Sequence, residues 1–364
     1  MVRNDRFSNK IYIYTFFLCI LVIFVHAENL ATDNISLGFA ALASGADLPI
    51  RFEYIFSNIL SEMAVPGFFL ISGYLFYRTL HSFREIGRKW SGRFMSLVIP
   101  FGAWNILGYL MHVASGQAAF SMAAFSNAAA SYTYNPTFWY VWQLILLVLL
   151  APLFYLLLKN QAVSVLFLII SAFFVYMQFD LPYINEDAVF YYFAGAYFGR
   201  FGQNFFETER LLPSVTHAIL FLALALFFAG TGRLGMQGLG SGLRAAIGGK
   251  QFGGAAGTVV LSTVLRRISM LLSFWFFLPA GHLPPAREYM KNSFFLYAMH
   301  YPIVRALAWL LNAAGIGYTG AARFVRLAVY CMAPVLCVGI AWYLAQFLRK
   351  YMRLEWMVLS GGRR

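Results

Sequence analysis

The chain has 364 residues, of which 61% are hydrophobic and only 11% charged, and its formal net charge is +13. Soluble domains carry about a quarter charged residues, so the composition excludes a soluble globular enzyme. It implies repeated crossing of a bilayer, each crossing taking about 20 apolar residues. Cys19, Cys331 and Cys337 all sit in apolar runs and suggest neither a disulfide framework nor a zinc site.

In chain order, Arg3, Arg6 and Lys10 precede an apolar run that ends in VHAENLATD. No small-residue cleavage site follows, so the run reads as a retained first helix. Apolar segments predict ten helices, over residues 11–27, 54–77, 94–113, 138–158, 162–179, 188–201, 213–229, 258–280, 292–314 and 324–348. The sixth is short and interrupted by glycine, and the eighth contains Arg266 and Arg267. The runs are too long for barrel strands and lack their alternation. The expected fold is therefore all-α: a polytopic transmembrane helical bundle of about ten spans. It forms one transmembrane domain over residues 1–350, with a basic tail over 351–364.

Orientation follows from the distribution of Lys and Arg. With a cytoplasmic N-terminus, the inner segments hold Arg78, Arg84, Arg88, Lys89, Arg93, Arg287 and Lys291, and a tail ending in Arg363 and Arg364. The outer loops hold acids, among them Glu28, Asp33, Asp47, Glu53, Asp180, Glu186 and Asp187. Both termini are thus expected in the cytoplasm, and the protein in the cell inner, or plasma, membrane. The positive charge is topology plus attraction to anionic lipid headgroups, not a nucleic-acid surface. Loop 230–257 departs from the rule with Arg233, Arg244 and Lys250; it is glycine-rich and reads as a flexible outer loop.

Ionisable groups inside apolar spans cost a few kcal/mol unless they are paired or face a cavity. His26 closes the first helix at its outer end. It is an interfacial residue, a tie between helices, or a general base, for which imidazole suits because its ordinary pKa is about 6.5. Glu62, in the outer half of the second helix, either orients that imidazole or faces water. His300 lies two turns into the ninth helix, where helix–helix hydrogen bonding is its simplest role, and Arg305 is one turn further on. Arg93 caps the third helix on the inside. His81, His112, His217 and His282 have no evident partner, and neither an HExxH spacing nor a GxSxG elbow occurs.

Five stretches occur in order: ILVIFVHA, VPGFFLISGYLFYR, RKWSGRFMSLVIPFGAWN, FWYVWQLILLVLLAPLF and SFFLYAMHYPIV. Together they resemble the acyltransferase-3 family of integral membrane acyltransferases, over residues 10 to 345. The resemblance implies transfer of a short acyl group, acetyl or succinyl, from cytoplasmic acyl-CoA to a sugar hydroxyl. The acceptor would be a lipid-linked glycan or a cell-surface or exported polysaccharide. It implies His26 as the base with Glu62 beside it, and Arg93, Ser72, Trp139, Tyr297 and His300 as substrate-binding residues. A thioester is already activated, so no metal and no bound cofactor are expected. One departure stands out: the family's arginine eleven residues before the histidine is Thr15 here. A transporter or flippase of glycans, or a non-catalytic membrane partner, are the alternative readings.

Overall fold

The structure, a computed structural model, describes residues 2–28, 30–31, 47–178, 182–238 and 254–362. Asp33, Asp180, Arg244 and Lys250 fall outside them. The protein is 82% helical, with no strand among the described residues. All ten expected segments form helices. Among the described residues, seven helices are long and apolar enough to cross a membrane, and an eighth span forms if the bent pair Pro136–Leu149 and Ala151–Leu157 is taken as one. The expected fifth and sixth spans are shorter, at 17 residues (Gln161–Met177) and 16 (Glu186–Phe201).

The helices are α1 (Val2–His26), α2 (Leu48–Tyr77), α3 (Glu85–Ala114), α4 (Met122–Ala130), α5 (Trp139–Leu149), α6 (Ala151–Leu157) and α7 (Gln161–Met177). They continue with α8 (Glu186–Phe201), α9 (Leu211–Gly238), α10 (Gly254–Phe277), α11 (Ser293–Ala313), α12 (Ala322–Tyr351) and α13 (Arg353–Ser360). Helix therefore runs well into the stretch expected as a loop over 230–257. The chain divides into two compact units. The first comprises Met1–Ile11, Val65–Ser91 and Gln143–Pro285; the second comprises Tyr12–Ala64, Gly92–Trp142 and Ala286–Arg364.

The first unit is organised around α8, which is buried along most of its length. Its GAYFG sequence places Gly195 and Gly199 one turn apart on one face. A Cβ on Gly195 would lie 1.9 Å from the Leu70 carbonyl oxygen, and one on Gly73 would lie 2.0 Å from that of Tyr192. Backbone meets backbone here, as small residues allow inside membranes. The glycine interruption that shortened the sixth apolar run is thus a packing surface. The eighth-run arginine Arg267 lies 3.8 Å from Asp187 at the start of α8.

The 58° bend between α5 and α6 has a local cause. Pro152 has no N–H, and its ring displaces the carbonyl four residues earlier. That carbonyl belongs to Val148, and it accepts the Trp90 indole N–H at 2.8 Å instead. Glu207 accepts from Tyr74 Oη and from Arg78 Nε, each at 2.5 Å, so a nearly buried carboxylate is fully partnered.

In the second unit, α11 packs along α12, and α13 closes over α3. The stretch expected as a basic tail is helical here. Trp356 lies 5.1 Å from the Phe295 ring, and Trp104 donates its indole N–H to the Leu359 carbonyl at 3.0 Å.

Replacing Gly195 by alanine forces α2 and α8 apart against two backbones, which no side-chain rotation relieves. Overpacking of this kind costs about 1–3 kcal/mol or more. Gly195→Ala should lower the midpoint of thermal unfolding in detergent and the yield of folded protein; the control Gly339→Ala should not, because a Cβ there meets nothing within 4 Å.

Candidate active site

The site lies in the second unit, and its parts come from α1, α3, α11 and the segment before α5. His26 occupies the last turn of α1. Its ring centre lies 5.1 Å from that of His300 and 5.6 Å from that of Tyr301, the latter edge-on. Half-buried Glu28 follows two residues later, and burial raises its carboxyl above the ordinary carboxylate range.

Helix α11 presents Tyr297, Tyr301 and Arg305 at four-residue spacing, hence on one face. The Tyr297 hydroxyl donates to the Thr137 carbonyl, and its ring packs on Phe138 and Tyr140, each at 5.7 Å. This fixes α11 against the segment leading into α5. His300 is fully buried, and its Nδ1 faces the Tyr297 carbonyl. A carbonyl can only accept, so Nδ1 carries the hydrogen. In the neutral ring Nε2 then holds the lone pair, and no hydrogen-bond partner meets it among the described residues.

Beside this cluster lies a cavity of about 480 Å³. Trp104, Tyr134 and Tyr301 give it aromatic walls, and His112, Asn135 and Arg305 give it polar ones. Gly108 lets α3 come close: a Cβ there would sit 3.0 Å from the Tyr134 carbonyl oxygen. His112 Nδ1 donates to the Gly108 carbonyl at 2.8 Å, which orients its ring.

Behind His26, α1 is seamed to α11. The Thr15 and Ser293 hydroxyls share a hydrogen bond at 3.3 Å, and the Cys19 thiol donates to the Ser293 carbonyl at 3.1 Å. Buried Arg326 secures the far end. It donates to the carbonyls of Ile316 (2.7 Å) and Leu30 (3.3 Å) and to Asn312 Oδ1 (2.6 Å), and its guanidinium covers the Tyr318 ring at 3.7 Å. One side chain thus ties the segment just after His26 to the turn that ends α11.

His26, Tyr297 and His300 come together as neighbours, and Trp139 directly follows the segment that Tyr297 holds. Glu62 lies in the Ser61–Met63 turn within α2, and the ring neighbours of His26 are His300 and Tyr301. Arg93 lies 15 residues before Gly108 in the same helix, roughly 22 Å along its axis. Ser72 belongs to the first unit. Of the inner cations, Arg78 is engaged with Glu207 and Lys291 with Glu288, while Arg84 and Arg88 are exposed. Among the described residues no group of three side chains gathers that would hold a metal ion. Tyr301, Tyr134 and the cavity role of His112 carry no mark in the sequence beyond the four-residue spacing that puts Tyr301 between Tyr297 and Arg305.

A family model for an acyltransferase domain, that of the acyltransferase-3 family, matches residues 16–346. The chain belongs to this family. It is a multi-pass membrane acyltransferase that transfers groups other than aminoacyl groups. No curated protein and no solved structure matches it. Within the acyltransferase, the matched region includes both histidines of the pair and every cavity residue named above.

Replacing Arg326 by methionine keeps the bulk of the side chain and removes all its donors. Hydrogen bonds from charged groups contribute about 1.5–3 kcal/mol each. Arg326→Met should therefore destabilise the acyltransferase by at least about 3 kcal/mol, read as an earlier unfolding midpoint in detergent, and Arg326→Lys should recover only part of the loss.

Proposed function

We propose that this acyltransferase moves a short acyl group, most simply acetyl, from cytoplasmic acyl-CoA to a hydroxyl of a sugar acceptor. The acceptor is a lipid-linked glycan or an exported polysaccharide, and the enzyme works in the plasma membrane. The observation that carries this reading is the pair His26 and His300 next to Tyr301, which is a residue of the cavity wall. His26 touches Tyr301, and Tyr301 lines a cavity whose aromatic faces and polar edges suit a sugar ring.

The chemistry needs one base. The acceptor hydroxyl gives its proton to a His26 ring nitrogen as its oxygen attacks the thioester carbonyl. The carbon–sulfur bond breaks, and the departing thiolate takes the proton back. His300 is a positioning residue for this step. Its Nδ1–H is committed to Tyr297, so its Nε2 lone pair is available to accept the second N–H of His26. Two imidazoles that share an N–H···N bond have centres roughly 5 Å apart, so a rotation of the His26 ring suffices to make that bond. The bond would fix the His26 tautomer and leave its other nitrogen as the base, as a carboxylate does in other histidine-based sites.

The donor side rests on charge. Coenzyme A is a polyanion, and arginine binds phosphates through a bidentate fork. Arg84 and Arg88 are exposed on the inner, basic stretch and form no ion pair among the described residues, so they supply that attraction more directly than Arg78.

General bases contribute about 10²–10⁴-fold to rate. His26→Ala should thus lower acyl transfer from labelled acetyl-CoA by about that factor, while the protein remains inserted and folded by circular dichroism. Transfer that survives the substitution would remove His26 from the mechanism. Absence of transfer by the native enzyme from any short acyl-CoA, with every acceptor tried, would overturn the donor assignment.

A further inference from the structure

Arg305 is the cation of the cavity. It projects from α11 with an exposed side chain, in the outer half of an apolar helix that begins among Lys291 and Arg287. Arginine is disfavoured on the outer side of spans, and a charge within one is costly unless something meets it. The other arginines near this end of α11 and α12 are met from within the chain: Arg323 pairs with Asp47, and Arg326 is spent on two carbonyls, Asn312 and the Tyr318 face. No described acid or carbonyl answers Arg305, and no carboxylate lines the cavity. The polar groups around it include no acid: Asn135, Ser115, Gln117, Thr133 and His112, whose Nδ1–H is already given to Gly108. The cavity therefore has a net positive character and an unspent bidentate donor beside aromatic walls.

We propose that the acceptor bound in this cavity carries an anionic group, a carboxylate or a phosphodiester, and that Arg305 is the side chain that reads it. This rests on the cavity being the acceptor site of the acyltransferase, and it narrows the substrate class to acidic glycans. The guanidinium fork fits either anion. Held there, the anion fixes which sugar ring lies on Tyr301, the ring edge-on to His26, and so which hydroxyl is offered to the base. Arg305 acts as a specificity-determining residue and takes no part in proton transfer.

The test is a binding measurement without acyl donor, so that its result stands whether or not acyl transfer is ever observed. Labelled protein in nanodiscs of zwitterionic lipid is applied to an array of uronate-containing, phosphodiester-containing and neutral oligosaccharides. The uronates are present both free and as their methyl esters. Retention on acidic members, at least tenfold above the esterified or neutral counterparts, is expected. Arg305→Gln should erase that preference, and Arg305→Lys should keep part of it, because the charge remains and the fork is lost. The uronate and phosphodiester members distinguish the two anions. Retention confined to neutral members, no retention on any, or an unchanged pattern in Arg305→Gln would overturn the proposal. That last result would leave Arg305 as a contact for lipid phosphate.

Discussion

Within the hydrocarbon of a bilayer, a polar group has no water to bond with, so the chain itself must satisfy it. Much of this structure answers that constraint. The Val148 carbonyl freed by Pro152 is taken up by Trp90; Glu207, nearly buried, is met by Tyr74 and Arg78; Arg326 is buried and spent on two carbonyls and an amide. In each case an aromatic or arginine side chain donates to an oxygen that would otherwise be stranded. Arginine suits the task because its planar fork reaches several acceptors at once. The helices can lie this close only because glycine removes the side chain at the tightest crossing, at Gly73 and Gly195 in the first unit.

Against that background the unsatisfied groups stand out. Among the described residues, His300 Nε2 is buried with no hydrogen-bond partner, and Arg305 faces a cavity with no acid on its walls. Both lie on α11, five residues apart, and both adjoin the ring cluster of His26 and Tyr301. Other buried polar atoms, Lys10 Nζ and Asn105 Oδ1 among them, also lack a hydrogen-bond partner among the described residues, so it is the place of these two beside Tyr301 that sets them apart. The coincidence of His26, an oriented second imidazole and an unspent cation in one unit gives the proposed catalytic reading its physical content beyond family membership.

The apolar runs made the all-α class legible, since their length and lack of alternation admit little else. His26 was legible as a candidate, because an imidazole ending an apolar run is costly without a role. Its neighbour was not. Glu62 was the expected orienting group because it shares the depth of His26 on the next helix in sequence. The ring that lies beside His26, that of His300, comes from the ninth apolar segment, some 270 residues away, and no local pattern reveals such a pairing. The same limit hid the cavity, whose walls come from α3, the segment before α5, and α11. The sixth run misled in the other direction: its glycines looked like a weak helix and are a close-packed one. Pro152 and Trp90 were legible as motif residues, but their shared purpose, one carbonyl, needed three dimensions.

Thr15 shows how a departure from the family pattern is absorbed. An arginine there would have to enter the seam where α1 meets α11, which is closed by the Thr15–Ser293 and Cys19–Ser293 hydrogen bonds. The seam has become a small-residue, hydroxyl-lined contact, and a guanidinium would cost both bonds and a desolvated charge. The positive charge on α1 sits five residues earlier, roughly 7.5 Å along the helix. There the buried Lys10 ammonium rests over Trp275 at 3.8 Å, and its Nζ has no hydrogen-bond partner among the described residues. A cation held by an aromatic face keeps its hydrogens for another acceptor. On the acyl-CoA reading, the exchange of arginine for threonine therefore moves the cation of α1 toward the inner face and frees the stretch next to His26 for packing. The base is then held by contacts between helices, and the donor by charge further in.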